Sequence, residues 1–149
     1  MTEKKAGIDP NIIRSAVEFH GHLGPFLVLG LRMGLAAVQV LRPQGLHDLS
    51  AIVWSSRSPP QSCVVDGIQF SSGCTLGKGN IRVRSSSILR ASFRTHNMSI
   101  IVKPTEKVNR MLSTLSKNET PARLRATAIR ISKITDKDLI IVTRSHQPQ

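Results

Sequence analysis

Pro25-Phe26-Leu27-Val28-Leu29-Gly30-Leu31-Arg32-Met33-Gly34-Leu35-Ala36-Ala37-Val38-Gln39-Val40-Leu41 is the stretch on which the fold turns. Nearly every side chain is apolar, and Gly30 and Gly34 make the small-xxx-small pattern of packed membrane helices. The run is short for a bilayer, and Arg32 inside it would cost about 2.5 to 3.5 kcal/mol at a bilayer centre. It therefore reads as a central core helix, and no membrane association is expected. Arg32 and Gln39, seven residues apart, share one helical face while the rest can be buried. The two glycines would let another backbone approach closely.

Upstream, Asp9 before Pro10 is an N-cap with proline at the first helical position, predicting a helix to about Glu18. His20-Gly21-His22-Leu23-Gly24 then breaks the periodicity, so both histidines fall in a tight helix-to-helix loop. Downstream, residues 50 to 55 read as a strand. Residues 63 to 70 suit a short helix with Gly73 as its stop, although a strand fits the same residues. A three-glycine loop follows over 73 to 80. Strands are predicted from 81 to 84, near 88 to 94 and from 98 to 103. Pro104 is expected to open a helix to about Leu115 and Pro121 another to about Ile134. Asp136 and Asp138 then lead into a final strand, 139 to 143.

The chain has 149 residues, enough for one domain with a real core and too few for two comfortable ones. With 40% hydrophobic residues it should fold, which excludes a disordered charged chain. No repeat or internal linker divides it, so residues 1–149 are read as one α+β domain. Cys63 and Cys74 are too few for a secreted disulfide scaffold. The chain is read as cytoplasmic with free thiols, no signal peptide preceding the fold.

Two loops can carry chemistry. The His20 and His22 imidazoles, separated only by Gly21, can be aimed into one pocket for metal binding or proton transfer; loop histidines also serve as caps or surface residues. Gly73-Cys74-Thr75-Leu76-Gly77-Lys78-Gly79 is one residue short of a phosphate loop, and Gly79 stands where Ser or Thr would hold magnesium. Nucleotide hydrolysis is not expected. Gly77 and Gly79 can still offer N–H groups to an anion, with Lys78 adding a charge, or the loop is simply a tight turn. Cys74 is a candidate soft ligand, or a nucleophile if a cation lowers its pKa, or an ordinary small buried residue.

Taken together, Phe19-His20-Gly21-His22-Leu23-Gly24-Pro25, Val65-Asp66-Gly67-Ile68-Gln69 and Gly73-Cys74-Thr75-Leu76-Gly77-Lys78-Gly79-Asn80 resemble the FmdE family. That is the family of the FmdE component of molybdenum or tungsten formylmethanofuran dehydrogenase and its stand-alone relatives. The resemblance covers about residues 8 to 105, leaving 106 to 149 as a basic helical and strand extension. It implies an α+β fold in which a mixed or antiparallel sheet packs with helices, the two loops converge on one site, and the protein is a homodimer. Members are associated with metal binding. Carried over by position, the metal ligands become His20, His22, Cys74 and Asp66, with Lys78 nearby. Such a mixed nitrogen and sulfur set suits a single zinc or another divalent transition metal. If the chain is catalytic, the metal would act as Lewis acid or water activator and His20 as acid or base. Molybdopterin and iron–sulfur clusters would belong to other dehydrogenase subunits.

The usual family loop runs His-Gly-His-x-Cys-Pro-Gly, and here Gly24 stands in the cysteine's place and Phe26 in that of the last glycine. Zinc affinity should fall if that cysteine is a ligand, unless water or Cys63 substitutes. The C-terminal zinc ribbon of many relatives is also lacking, since no cysteine follows Cys74.

The formal charge of +12 is concentrated late in the chain. Residues 1–80 carry seven Lys or Arg against five acids, and residues 81–149 carry fourteen against four. Arg82, Arg84, Arg90 and Arg94 arrive with no acid between them, and Arg123, Arg130, Lys133 and, at its fraying end, Lys137 form a stripe on the helix expected from Pro121. These faces are simply solvated, or they attract an anionic ligand or acidic partner. Nucleic acid is not the expected partner: no helix-turn-helix, zinc-finger or RNA-binding signature is present, and four Phe and one Trp offer few stacking platforms.

Overall fold

Asp9 accepts the Asn11 amide at 2.9 Å and so caps the first helix, α1 (Pro10–His20), which ends at Gly21 in a left-handed conformation (φ 106°). After Leu23 and Gly24, Pro25 starts α2 (Pro25–Leu41). The remaining elements are β1 (Ser50–Ser55), α3 (Cys63–Ser72), β2 (Ile81–Ser85), β3 (Arg90–Arg94), β4 (Ser99–Pro104), α4 (Glu106–Ser113), α5 (Pro121–Lys133), α6 (Asp136–Leu139) and β5 (Ile140–Ser145). The structure is a computed structural model and describes residues 7–145.

The five strands form one sheet in the order β2-β1-β3-β4-β5. β1 runs parallel to β2, joined through α3, and every other pairing is antiparallel, so the sheet is mixed. The alternation along each strand sends Ala51, Val53, Ala91, Phe93, Ile100 and Val102 into the core beneath the helices. The opposite face carries Ile52, Trp54, Arg90, Ser92 and Ile101, and the described helices leave it open.

α2 is buried almost all round, as a central helix should be. Removing Leu27, Leu29 and Leu31 from water contributes about 1.5–3 kcal/mol each. The backbone approaching the α2 glycines is α3: a Cβ on Gly30 would collide with the Val64 carbonyl, and one on Gly67 with the Leu27 carbonyl. The pattern read as a membrane signature is thus the seam between two core helices. Among the described residues no helix is long and apolar enough to cross a membrane.

Arg32 departs from expectation. Its side chain is 3% exposed rather than on a solvent face. It donates to the Ile131 carbonyl at 2.9 Å, to the Ile134 carbonyl and to Asp136 Oδ1 at 2.7 Å. A guanidinium at the C-terminus of α5 meets carbonyls that lack intrahelical partners, which makes its burial tolerable. Pro104 also differs: it ends β4 opposite Ile140, and the helix starts only at Glu106, capped by Thr105 Oγ1 accepting the Val108 amide at 3.3 Å. Asp136 and Asp138 lie in the short α6, and the last strand begins one residue later than expected.

Candidate metal centre

His20 is the last residue of α1, and its ring is turned toward α3. Its Nδ1–H donates to Asp66 Oδ2 at 2.6 Å, which assigns the neutral-ring lone pair to Nε2. Nε2 is the one buried side-chain nitrogen or oxygen among the described residues with no hydrogen-bond partner. Leaving such an atom unsatisfied costs about 1–3 kcal/mol, so it marks a position prepared for a partner.

The left-handed Gly21 turns the chain so that His22 folds back beside His20, with ring centroids 4.6 Å apart. Cys63, the first residue of α3, completes the group: ligand atoms of His20, His22 and Cys63 all lie within 4.8 Å of one another. Tetrahedral zinc bound by nitrogen and sulfur brings its ligands to roughly 3.3–3.6 Å, so a closing movement of no more than about 1.5 Å would complete the site. His22 is exposed and free to make it. Burial, and secondarily the negative charge of Asp66, push the Cys63 thiol above its ordinary pKa.

The residues expected from sequence are thus divided. His20 and His22 are together. Asp66 is one bond further out, holding His20 rather than joining the ligand group. Cys74 is set apart: it is fully buried, its Sγ donates to the Leu49 carbonyl at 3.5 Å, and burial raises its pKa. It behaves as a core residue. The position sequence reasoning allowed only as a substitute, Cys63, stands in the group instead. The spacing held a signal for it, because Cys63 and Asp66 are three apart and share a face of α3.

No residue of the glycine loop stands in the His20, His22 and Cys63 group, and the loop is linked to it indirectly, through Gln69 and Asp66. Gln69 Nε2 contacts Asp66 Oδ1 at 3.4 Å, and its Oε1 accepts the Leu76 amide at 3.0 Å. The glycine loop directs its other amides inward as well: Cys74 to Ser72 Oγ, Thr75 to Asn80 Oδ1, Lys78 to Thr75 Oγ1 and Gly79 to the Leu76 carbonyl. The N–H groups around Gly77, Lys78 and Gly79 that were expected to face an anion mostly serve the turn itself. Gly24, where the family loop has cysteine, adjoins the group, for a Cβ there would lie 3.2 Å from His22 Nε2.

Comparison with known proteins agrees with this architecture. The crystal structure of a tungsten formylmethanofuran dehydrogenase FmdE-like protein from Syntrophus aciditrophicus matches with a TM-score of 0.65 at 19% identity, covering 93% of this chain and 72% of that one. A probable S-adenosyl-L-methionine-binding protein of Archaeoglobus fulgidus is 36% identical over 76 residues, 47% of this chain. That match spans only 19% of the archaeal protein's length. The family described as "FmdE, Molybdenum formylmethanofuran dehydrogenase operon" matches residues 19–140, most of the chain and all of the candidate centre, and the protein belongs to the FmdE family.

Proposed function

We propose that this FmdE-family domain binds one divalent transition ion, zinc being the best match, through His20 Nε2, a ring nitrogen of His22 and Cys63 Sγ. The observation that carries the reading is the buried, unpartnered Nε2 of His20, fixed in place by the Asp66 carboxylate on the other side of the ring. A carboxylate–histidine pair of this kind orients a ligand and raises its basicity. Three protein ligands leave a fourth position for water or substrate, where a bound metal would supply Lewis acidity. The role of His20 in this reading is that of a ligand and not of an acid or base, since both ring nitrogens are engaged. Asp66 holds the ring, and Gln69 ties that carboxylate to the glycine loop.

The chain's place is then that of an accessory subunit or stand-alone relative of formylmethanofuran dehydrogenase, the pterin chemistry lying with other subunits. Self-association as a homodimer and a cytoplasmic location belong to the same proposal.

The test is metal content after reconstitution with zinc, iron and nickel in separate samples, comparing wild type with Cys63→Ala, His20→Ala and Cys74→Ala. Near-stoichiometric metal is expected in wild type and Cys74→Ala, with strong loss in Cys63→Ala and His20→Ala. Metal below about 0.1 per chain in wild type, or retention by Cys63→Ala with loss from Cys74→Ala, would overturn the assignment.

A further inference from the structure

The sequence scatters Arg82, Arg84, Arg90, Arg94 and Lys103 over more than twenty positions, and the fold collects them. Register places Trp54 opposite Arg84 on one side and Arg90 on the other, with Ile52 between Arg82 and Ser92 in the next row. A third row runs from Ser50 through Arg94 and Ser99 to Ser145. All five cations are exposed on the open face of the sheet, and none of the five strands contains Asp or Glu. None of these cations has an ion-pair partner among the described residues. Asp48, near one end of β1, is already taken by the Gln44 amide and His96.

This face has shape as well as charge. A trough of about 460 Å³ crosses the strands from Arg82 on β2, past Ser92 and Arg94, to Ser145 on β5. Four strand spacings make it roughly 19 Å long. Beside it Trp54 is half-buried, and the Arg90 guanidinium lies 4.6 Å over its ring. An arginine seated over an aromatic ring makes a platform on which a nucleobase can stack.

We propose that this open sheet face binds single-stranded nucleic acid, its phosphates lying along the trough on Arg82 and Arg94 and a base stacking at Trp54 and Arg90. Five strands, roughly 19 Å across, are too wide for the roughly 12 Å major groove of a duplex, whereas unpaired bases can lie on them. A second copy of the chain is a poor occupant of the same face, because five cations would meet five with no carboxylate on the strands to offset them. The surface is separate from the metal centre and does not depend on it.

Trp54 is the only tryptophan and the chain has no tyrosine, so intrinsic fluorescence reports on this face alone. The full-length protein is titrated with a twelve-nucleotide oligouridylate, the matching oligodeoxythymidylate, a duplex of equal length and polyglutamate, across 50–300 mM salt. Expected are quenching of Trp54 by the single strands, affinity falling steeply with salt, and duplex and polyglutamate at least about tenfold weaker. Arg82→Gln with Arg94→Gln should weaken binding about tenfold or more at 50 mM salt and reduce the log–log salt slope by about 1.4. Arg123→Gln with Arg130→Gln, which removes equal charge from α5, should leave the quenching unchanged. No binding of single strands at 50 mM salt, equal binding of duplex or polyglutamate, or insensitivity to the Arg82 and Arg94 changes would each overturn the proposal. Shielding of Trp54 from acrylamide quenching in the free protein as its concentration rises would show this face buried between copies and would also do so.

Discussion

The Asp66 carboxylate accepts the Nδ1–H of His20 at 2.6 Å, joining the last residue of α1 to the first turn of α3. The bond fixes both the ring's orientation and the nitrogen that is left free. Asp66→Ala should therefore keep the fold, as read by far-ultraviolet circular dichroism, while lowering zinc affinity about 10–100-fold in a chelator competition. Unchanged affinity would separate Asp66 from the metal site.

Gly24 tests the same centre from the opposite side. Gly24→Cys restores the thiol of the usual family loop at a position whose Cβ would lie 3.2 Å from His22 Nε2, a few tenths of an ångström tighter than comfortable. His22 is exposed and can shift. The variant should hold zinc more tightly than wild type, and cobalt substitution should show stronger thiolate-to-metal absorption; loss of metal instead would place the centre elsewhere.

Arg32 is the buried cation that joins α2 to the end of α5. Arg32→Met keeps most of the volume but strands the Ile131 and Ile134 carbonyls, and Asp136 is exposed enough to return to water. The expected cost is about 2–4 kcal/mol, seen as a drop of roughly 10 °C in Tm. Arg32→Lys should recover only part of it, since an ammonium lacks the planar fork. A Tm within 2 °C of wild type for Arg32→Met, by a criterion of roughly one-half kcal/mol, would show that the cap is dispensable.

Acid should find a weak point at the turn before β1. The Gln44 amide, followed by the His96 side chain, lowers the Asp48 pKa from 3.8 to about 2. A carboxylate with a depressed folded pKa stabilises the native state above its unfolded pKa and loses that contribution as pH falls through the folded value. Wild-type Tm should therefore decline more steeply between about pH 4 and pH 2 than that of Asp48→Asn, which is less stable at neutral pH. Parallel declines would assign acid sensitivity to other groups.

Much of this protein is local in origin. Asp9-Pro10, Pro25 and Pro121 start their helices where sequence places them, and Gly73 ends α3, because caps and fixed φ angles act within a few residues. The apolar run from Pro25 to Leu41 settles a buried central helix, and the order of the three glycine-containing motifs settles the family. What sequence could not supply is which distant groups meet. Cys74 lies within a specific motif, yet the fold buries it against Leu49, while Cys63 outside the quoted motifs reaches the two histidines because α3 begins there. Arg32, which helical periodicity alone allowed at a solvent face, is instead covered by residues about a hundred positions away. The five cations of the open sheet share a face only because of strand order and register. Local backbone preference is set by neighbours in the chain, but coordination, burial and surface charge are set by neighbours in space, and those exist only once the sheet and the α2–α3 seam have closed.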